Sequence, residues 1–277
     1  MDQIELNARQ DLAAAYRLAD YFGFSEGIDN HLSLSIPNQE DKYLLIPYGL
    51  HWSEVTASSL LVVNGEGKKI SGEGYAEPTA FLIHGAIHNA NKKNKCVMHT
   101  HMESALAITM IEKGRLLMAD QNACRFYNNI TYLDEYEGLV LDKHTAKPIG
   151  DSMKESDVLF LSNHGIIVTG NNVYEAWESL YYLEKACRAQ ILAMSLGKKI
   201  KSINGQIAKK VSDQVKEEAS GDSANSFRHF EALKRLLIAN GNEDYLDYFY
   251  FFYNYFFDLA FILFPALLGK AENGYGF

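Results

Sequence analysis

A chain of 277 residues with 47% hydrophobic side chains carries enough apolar material for one large domain or two small ones with a real core. Its 35 acidic and 26 basic residues leave a formal charge of −9, and no Lys/Arg cluster occurs beyond the Lys92-Lys93-Asn94-Lys95 turn, which argues against a nucleic-acid partner. Three cysteines without Cys-x-x-Cys spacing imply neither a disulfide framework nor a thiolate zinc site, and an N-terminus opening on Asp2, Glu5 and Arg9 is no export signal, so a reducing cytoplasm is expected.

Apolar residues at helical spacing (Leu12, Tyr16, Ala19, Phe22) predict a helix over 6–21, ended by Gly23. The period then changes. Residues 31–36 alternate polar with apolar, and 43–46, 60–63 and 68–70 are further short strands split by Pro37, Pro47 and Asn64-Gly65, which suggests an antiparallel meander. A helix should start at Pro78 with Glu77 as its cap and run to Ala90, because proline at the first helical position has no amide hydrogen to waste. It leads to a strand ending at His99. A short helix over 104–110, strands over 158–161 and 166–169, and a long helix over 174–196 follow. The polar stretch 198–224 reads as a linker to a helix over 227–238. From residue 245 the chain is packed with Tyr and Phe, but Asp247, Asn254 and Asp258 interrupt it, so a packed tail over 246–277 is expected rather than a membrane span.

The chemistry concentrates on histidine. His99 and His101 stand one residue apart, and alternate strand residues point to one face about 6.5 Å apart, so one strand could supply two metal bonds of about 2.1 Å. His164, in Asn163-His164-Gly165, closes a second strand-like run. Three neutral imidazoles with one open position are the ligand set expected of catalytic zinc. His84 and His88 lie four apart on one helix face without an evident third partner, so hydrogen bonding is their expected role. A Glu77 carboxylate near a metal could ligate it or move a proton, though capping a helix explains it as well. Gly72 and Gly74 match no phosphate-binding or dinucleotide fingerprint.

The ordered series Asn30-His31-Leu32-Ser33, Pro47-Tyr48-Gly49-Leu50, Thr56-Ala57-Ser58, Ala86-Ile87-His88, Val97-Met98-His99-Thr100-His101 and Asn163-His164-Gly165-Ile166-Ile167 resembles the class II aldolase and adducin head-domain family, in its adducin-like bacterial branch. The resemblance spans residues 6–245. It implies an α/β fold, a three-layer α/β/α sandwich around a largely antiparallel sheet, assembled as a homotetramer with sites near subunit interfaces. It also implies that His99, His101 and His164 hold zinc, with Fe2+ or Mn2+ as alternatives. Two departures stand out: Ala80 occupies the position where the family's sugar-phosphate aldolases keep an acid/base glutamate, and Pro78, Thr79 and Tyr48 replace their phosphate-holding hydroxyl residues. The expectation is therefore a metal-dependent lyase that cleaves a carbon–carbon bond beside a carbonyl, by aldol cleavage or decarboxylation. Its small carbonyl or hydroxy substrate would not be a typical sugar phosphate. Glu77 would carry the proton, and His31, Tyr48, Gly49 and Tyr127 or Tyr132 would orient the substrate. The competing readings are a non-catalytic adducin-like scaffold and a non-haem iron oxygenase on the same fold.

Overall fold

The first helix, α1 (Gln3–Tyr21), starts earlier than its apolar spacing indicates because the Asp2 carboxylate accepts a hydrogen bond from the Glu5 amide. That bond satisfies a donor the helix itself cannot. Gly23, at φ +72°, then turns the chain where a side chain would be strained. The computed structural model describes residues 1–218 and 224–247.

In chain order the remaining elements are β1 (His31–Ser35), β2 (Lys42–Leu45), β3 (Leu61–Asn64), β4 (Lys69–Ser71), α2 (Pro78–Ala90), β5 (Cys96–Thr100), α3 (Glu103–Thr109), α4 (Gln121–Cys124), β6 (Ile130–Leu133), α5 (Lys143–Ser152), β7 (Val158–Leu161), β8 (Gly165–Gly170), α6 (Val173–Ser195), α7 (Gly205–Glu218) and α8 (Asn225–Ala239). The eight strands form one sheet in the order β4-β3-β2-β1-β5-β8-β7-β6. The first four strands are the expected meander, and only β6 with β7 runs parallel.

Strand alternation divides the side chains between two faces. Leu32, Met98, Phe160 and Val168 join the larger core with Trp177 and Leu180 of α6 and Phe230 of α8. Val97, Leu159 and Ile167 point the other way, under Ile83 and Ile87 of α2 and Ile149 of α5. The expected three layers are present. Two of the alternating polar residues of β1 turn toward a helix: His31 and Ser33 lie on the α2 side, and Ser33 is fully buried. Helix α5 packs closely on α2, since a side chain at Gly150 would meet the Ala86 carbonyl at 2.7 Å.

The stretch 198–224 is not a simple linker. It contains α7, whose Ala208 and Ser212 are buried and whose Ser212 hydroxyl donates to the Arg125 carbonyl at 3.3 Å. The contact side is made of small residues, which carry little hydropathy signal. Helices α4 and α5 and strand β6 also escape sequence reading: α4 has four residues, α5 contains Pro148, and β6 is an edge strand only partly buried. The aromatic tail from residue 248 lies outside the described residues. Just before it, Tyr245 is fully buried and its carbonyl accepts the Ala57 amide at 3.0 Å. No helix among the described residues is long and apolar enough to cross a membrane. Cys96, Cys124 and Cys187 are all free and buried.

Candidate metal centre

His99 lies in β5, directly opposite His31 of β1 and Ile167 of β8. His101 falls one residue beyond the end of β5, so the pair is not held by a single strand as the spacing suggests. Its ring is fixed from elsewhere, by a hydrogen bond between Nδ1 and the Glu26 carboxylate. His164 arrives from the tight turn joining β7 to β8. There Asn163 adopts a left-handed φ of +56°, a conformation Asn tolerates better than most residues. A side chain on Gly165 would meet the His101 ring at 2.6 Å and the Thr100 carbonyl at 2.7 Å. The motif Asn163-His164-Gly165 thus has a steric logic: a left-handed turn, a ring, and a residue without Cβ where β8 passes His101.

The three ring pairs have centroid separations of 4.8–5.0 Å, and each ring offers a nitrogen within 4.8 Å of the other two. The hydrogen bonds settle which nitrogens are available. His99 Nδ1 donates to the Ile166 carbonyl at 2.9 Å, and His101 Nδ1 donates to Glu26, so on both rings Nε2 keeps its lone pair. His101 Nε2 is buried and has no hydrogen-bond partner among the described residues. A buried acceptor without a donor is costly, and a cation removes that cost. Burial, reinforced by neighbouring imidazoles, holds His99 well below the ordinary histidine value and His164 down at about 4. Both rings are therefore neutral near pH 7, as a ligand must be. Carboxylate-to-imidazole and carbonyl-to-imidazole bonds of this kind commonly orient metal-binding histidines. The residues fit a divalent cation.

His31 joins this group, with its ring centroid 5.2 Å from that of His99. Tyr48 and Gly49 form a second locality with the approach to α2. The Tyr48 amide donates to the Tyr75 carbonyl at 2.9 Å, the two rings lie 5.5 Å apart, and Glu77 caps α2 by accepting the Ala80 amide at 2.5 Å. Tyr127 packs elsewhere, against Gly205 at the start of α7, and Tyr132 stacks on Phe160 beneath the Arg115 guanidinium. Sequence reasoning did not single out Glu26 or Tyr136, whose ring centroid lies 6.2 Å from that of His164. Neither carries a local signal, Glu26 being 75 residues from the ring it orients. Tyr136 and His164 line a cavity of about 360 Å³ between the loop after β6 and α5. Asp134, Glu135 and Glu137 also line it, and no Lys or Arg does.

Fold and site together define a three-layer α/β protein with an imidazole cluster at the end of its central strands. The profile of the family described as Class II Aldolase and Adducin N-terminal domain matches residues 10–191, and the chain belongs to that family. A Caulobacter vibrioides protein, named provisionally as a class 2 aldolase, is 36% identical over 199 residues, covering 72% of this chain and 77% of its own. Rat alpha-adducin is 33% identical over 198 residues, 70% of this chain but only 26% of adducin. The crystal structure of an aldolase II superfamily protein from Pseudomonas syringae superposes with a TM-score of 0.82 at 32% identity, over 89% of this chain and 97% of that one.

Proposed function

We propose that this protein is a divalent-metal-dependent lyase that cleaves a carbon–carbon bond beside a carbonyl, with His99, His101 and His164 as metal ligands and zinc as the metal. The observation that carries the reading is the buried, unpartnered Nε2 of His101 within a group of three clustered imidazoles. When bound, such a cation acts as a Lewis acid on a carbonyl oxygen and stabilises the electron pair left by bond cleavage. The protein's own share is orientation and proton handling. Glu26 and the Ile166 carbonyl fix two of the rings, and the cavity beside His164 admits a small molecule. Three carboxylates and no basic side chain on its lining suit a neutral carbonyl or hydroxy compound better than a sugar phosphate. Glu77 uses Oε2 for both of its capping bonds, to Ala80 and Thr79, which leaves Oε1 to carry a proton. His31, beside His99, is the substrate-orienting candidate within the cluster, and Tyr48 and Gly49 are candidates from the second locality, outside the lining of that cavity.

The same reading takes the folded unit to end near residue 245 and places the protein in the cytoplasm as a homotetramer. Leu139 and Leu141, exposed beside the cavity, are surfaces for a neighbouring subunit to cover. Elemental analysis of purified protein, with a chelator-controlled screen of hydroxy aldehydes and 2-oxo acids, tests the proposal. Stoichiometric zinc, lost in a folded His99→Ala variant, and chelator-sensitive cleavage are expected. Absence of bound divalent metal would leave the adducin-like scaffold, and iron in its place would favour oxygen chemistry.

A further inference from the structure

Behind the imidazole cluster a second row of polar groups runs inward from His31, and the lyase reading uses none of its members beyond His31 itself. His31 Nδ1 lies 2.7 Å from His84 Nε2, His84 Nδ1 is hydrogen-bonded to Ser33 Oγ, Ser33 Oγ lies 2.8 Å from His88 Nε2, and His88 Nδ1 lies 2.5 Å from the Asn94 carbonyl. Ser33 and His84 are fully buried and His88 nearly so. The far end is anchored, because the Asn94 side-chain amide donates to the carbonyls of Ile87 at 3.1 Å and Met153 at 3.2 Å. Tyr43 stacks over His88 with ring centroids 4.6 Å apart.

This chain has one consistent direction. A carbonyl only accepts, so His88 Nδ1 must donate to Asn94, and in a neutral ring Nε2 is then an acceptor. Ser33 therefore spends its one proton on His88 and must accept from His84 Nδ1. That leaves His84 Nε2 as an acceptor, which requires His31 Nδ1 to donate. The row holds no carboxylate that would favour a charged ring, and at its far end burial holds His88 neutral, its value down at about 4. At the near end, His31 Nε2 is left with a lone pair beside His99.

We propose that Ser33, His84 and His88 are positioning residues that lock His31 as a pure hydrogen-bond acceptor, and that its Nε2 receives the hydroxyl of a substrate bearing that hydroxyl next to its carbonyl. The ligand assignment rests on the lyase reading, and the tautomer lock does not. An acceptor in that place selects α-hydroxy carbonyl compounds over those whose oxygen cannot donate. It also explains why polar side chains on β1 face a covering helix: the row reaches the site only if α2 lies over it.

The test uses the full-length protein and 15N-imidazole NMR, with hydroxyacetone and its O-methyl ether, methoxyacetone, as probes. His31 is expected in the Nδ1–H form, with hydroxyacetone bound about tenfold more tightly than the ether, the worth of one hydrogen bond. In Ser33→Ala, His84 is free to reverse, so His31 should populate the Nε2–H form and the tenfold preference should vanish. Ser33→Thr, which keeps the hydroxyl, should restore both. A purely packing role for Ser33 would lower stability without moving the tautomer or the ratio of the two ketones. A proton on His31 Nε2 in the unmodified protein, or a Ser33→Ala variant with an unchanged tautomer, overturns the lock. Equal binding of the two ketones, or no binding of hydroxyacetone, overturns the ligand assignment. Loss of the metal would sink the lyase reading but leave the tautomer measurement standing, so the two failures are distinguishable.

Discussion

Acid should unfold this protein through its buried histidines, and His88 is the one whose share can be isolated. The unfolded chain binds a proton on His88 at about pH 6.5, whereas burial in the folded state delays that proton until about pH 4. Between those values the unfolded state holds more protons, so stability is complete above pH 6.5 and is lost progressively as pH falls towards 4. At about 1.4 kcal/mol for each tenfold change in proton affinity, a fall from 6.5 to about 4 amounts to about 3 kcal/mol. That is a large fraction of the total stability of a typical domain. The perturbation is His88→Gln, whose amide can still donate to the Asn94 carbonyl and accept from Ser33 but does not titrate. Urea unfolding followed by the fluorescence of the fully buried Trp52 and Trp177, at fixed protein concentration from pH 7.5 to 4, gives both stabilities. The advantage of the unmodified protein over the variant should shrink by about 3 kcal/mol across that range. A difference that stays level between pH 6.5 and 4 would refute the reasoning.

Three further outcomes follow from the geometry. Glu26→Ala, which removes the carboxylate orienting His101, should weaken zinc binding about 10- to 100-fold in calorimetric titration while leaving the circular dichroism unchanged. Gly165→Ala drives a methyl group into the His101 ring and the Thr100 carbonyl; it should cost about 1–3 kcal/mol of stability and at least about tenfold in zinc affinity, read by the same titration. Trp177→Ala empties the contact among Phe22, Phe24 and Phe230, and should cost about 3–5 kcal/mol in urea unfolding monitored by circular dichroism.

Much of the frame was legible because it depends on neighbours within a few residues. Helix α2 announces itself through Glu77 and Pro78, the meander through alternation and turn residues, and the three clustered histidines through two short motifs. Helix α7 had a signal too, Ile207, Val211 and Val215 at four-residue spacing, but its polar composition concealed it, and the residues it buries are the small Ala208 and Ser212. Helix α5 was hidden by Pro148, a residue usually read as a helix stop.

The sequence by itself therefore determined most of the element types, the family and the three histidines, since periodicity, caps and motifs act over short stretches of chain. Only the tertiary structure decided what surrounds those histidines. Ser33 meets His84 across 51 residues, Glu26 meets His101 across 75, and the Ile166 carbonyl meets His99 across 67. Which nitrogen of an imidazole carries the proton depends on the partner of the other nitrogen. Those partners are assigned by strand pairing and by the helix laid over the sheet, not by adjacency in the chain.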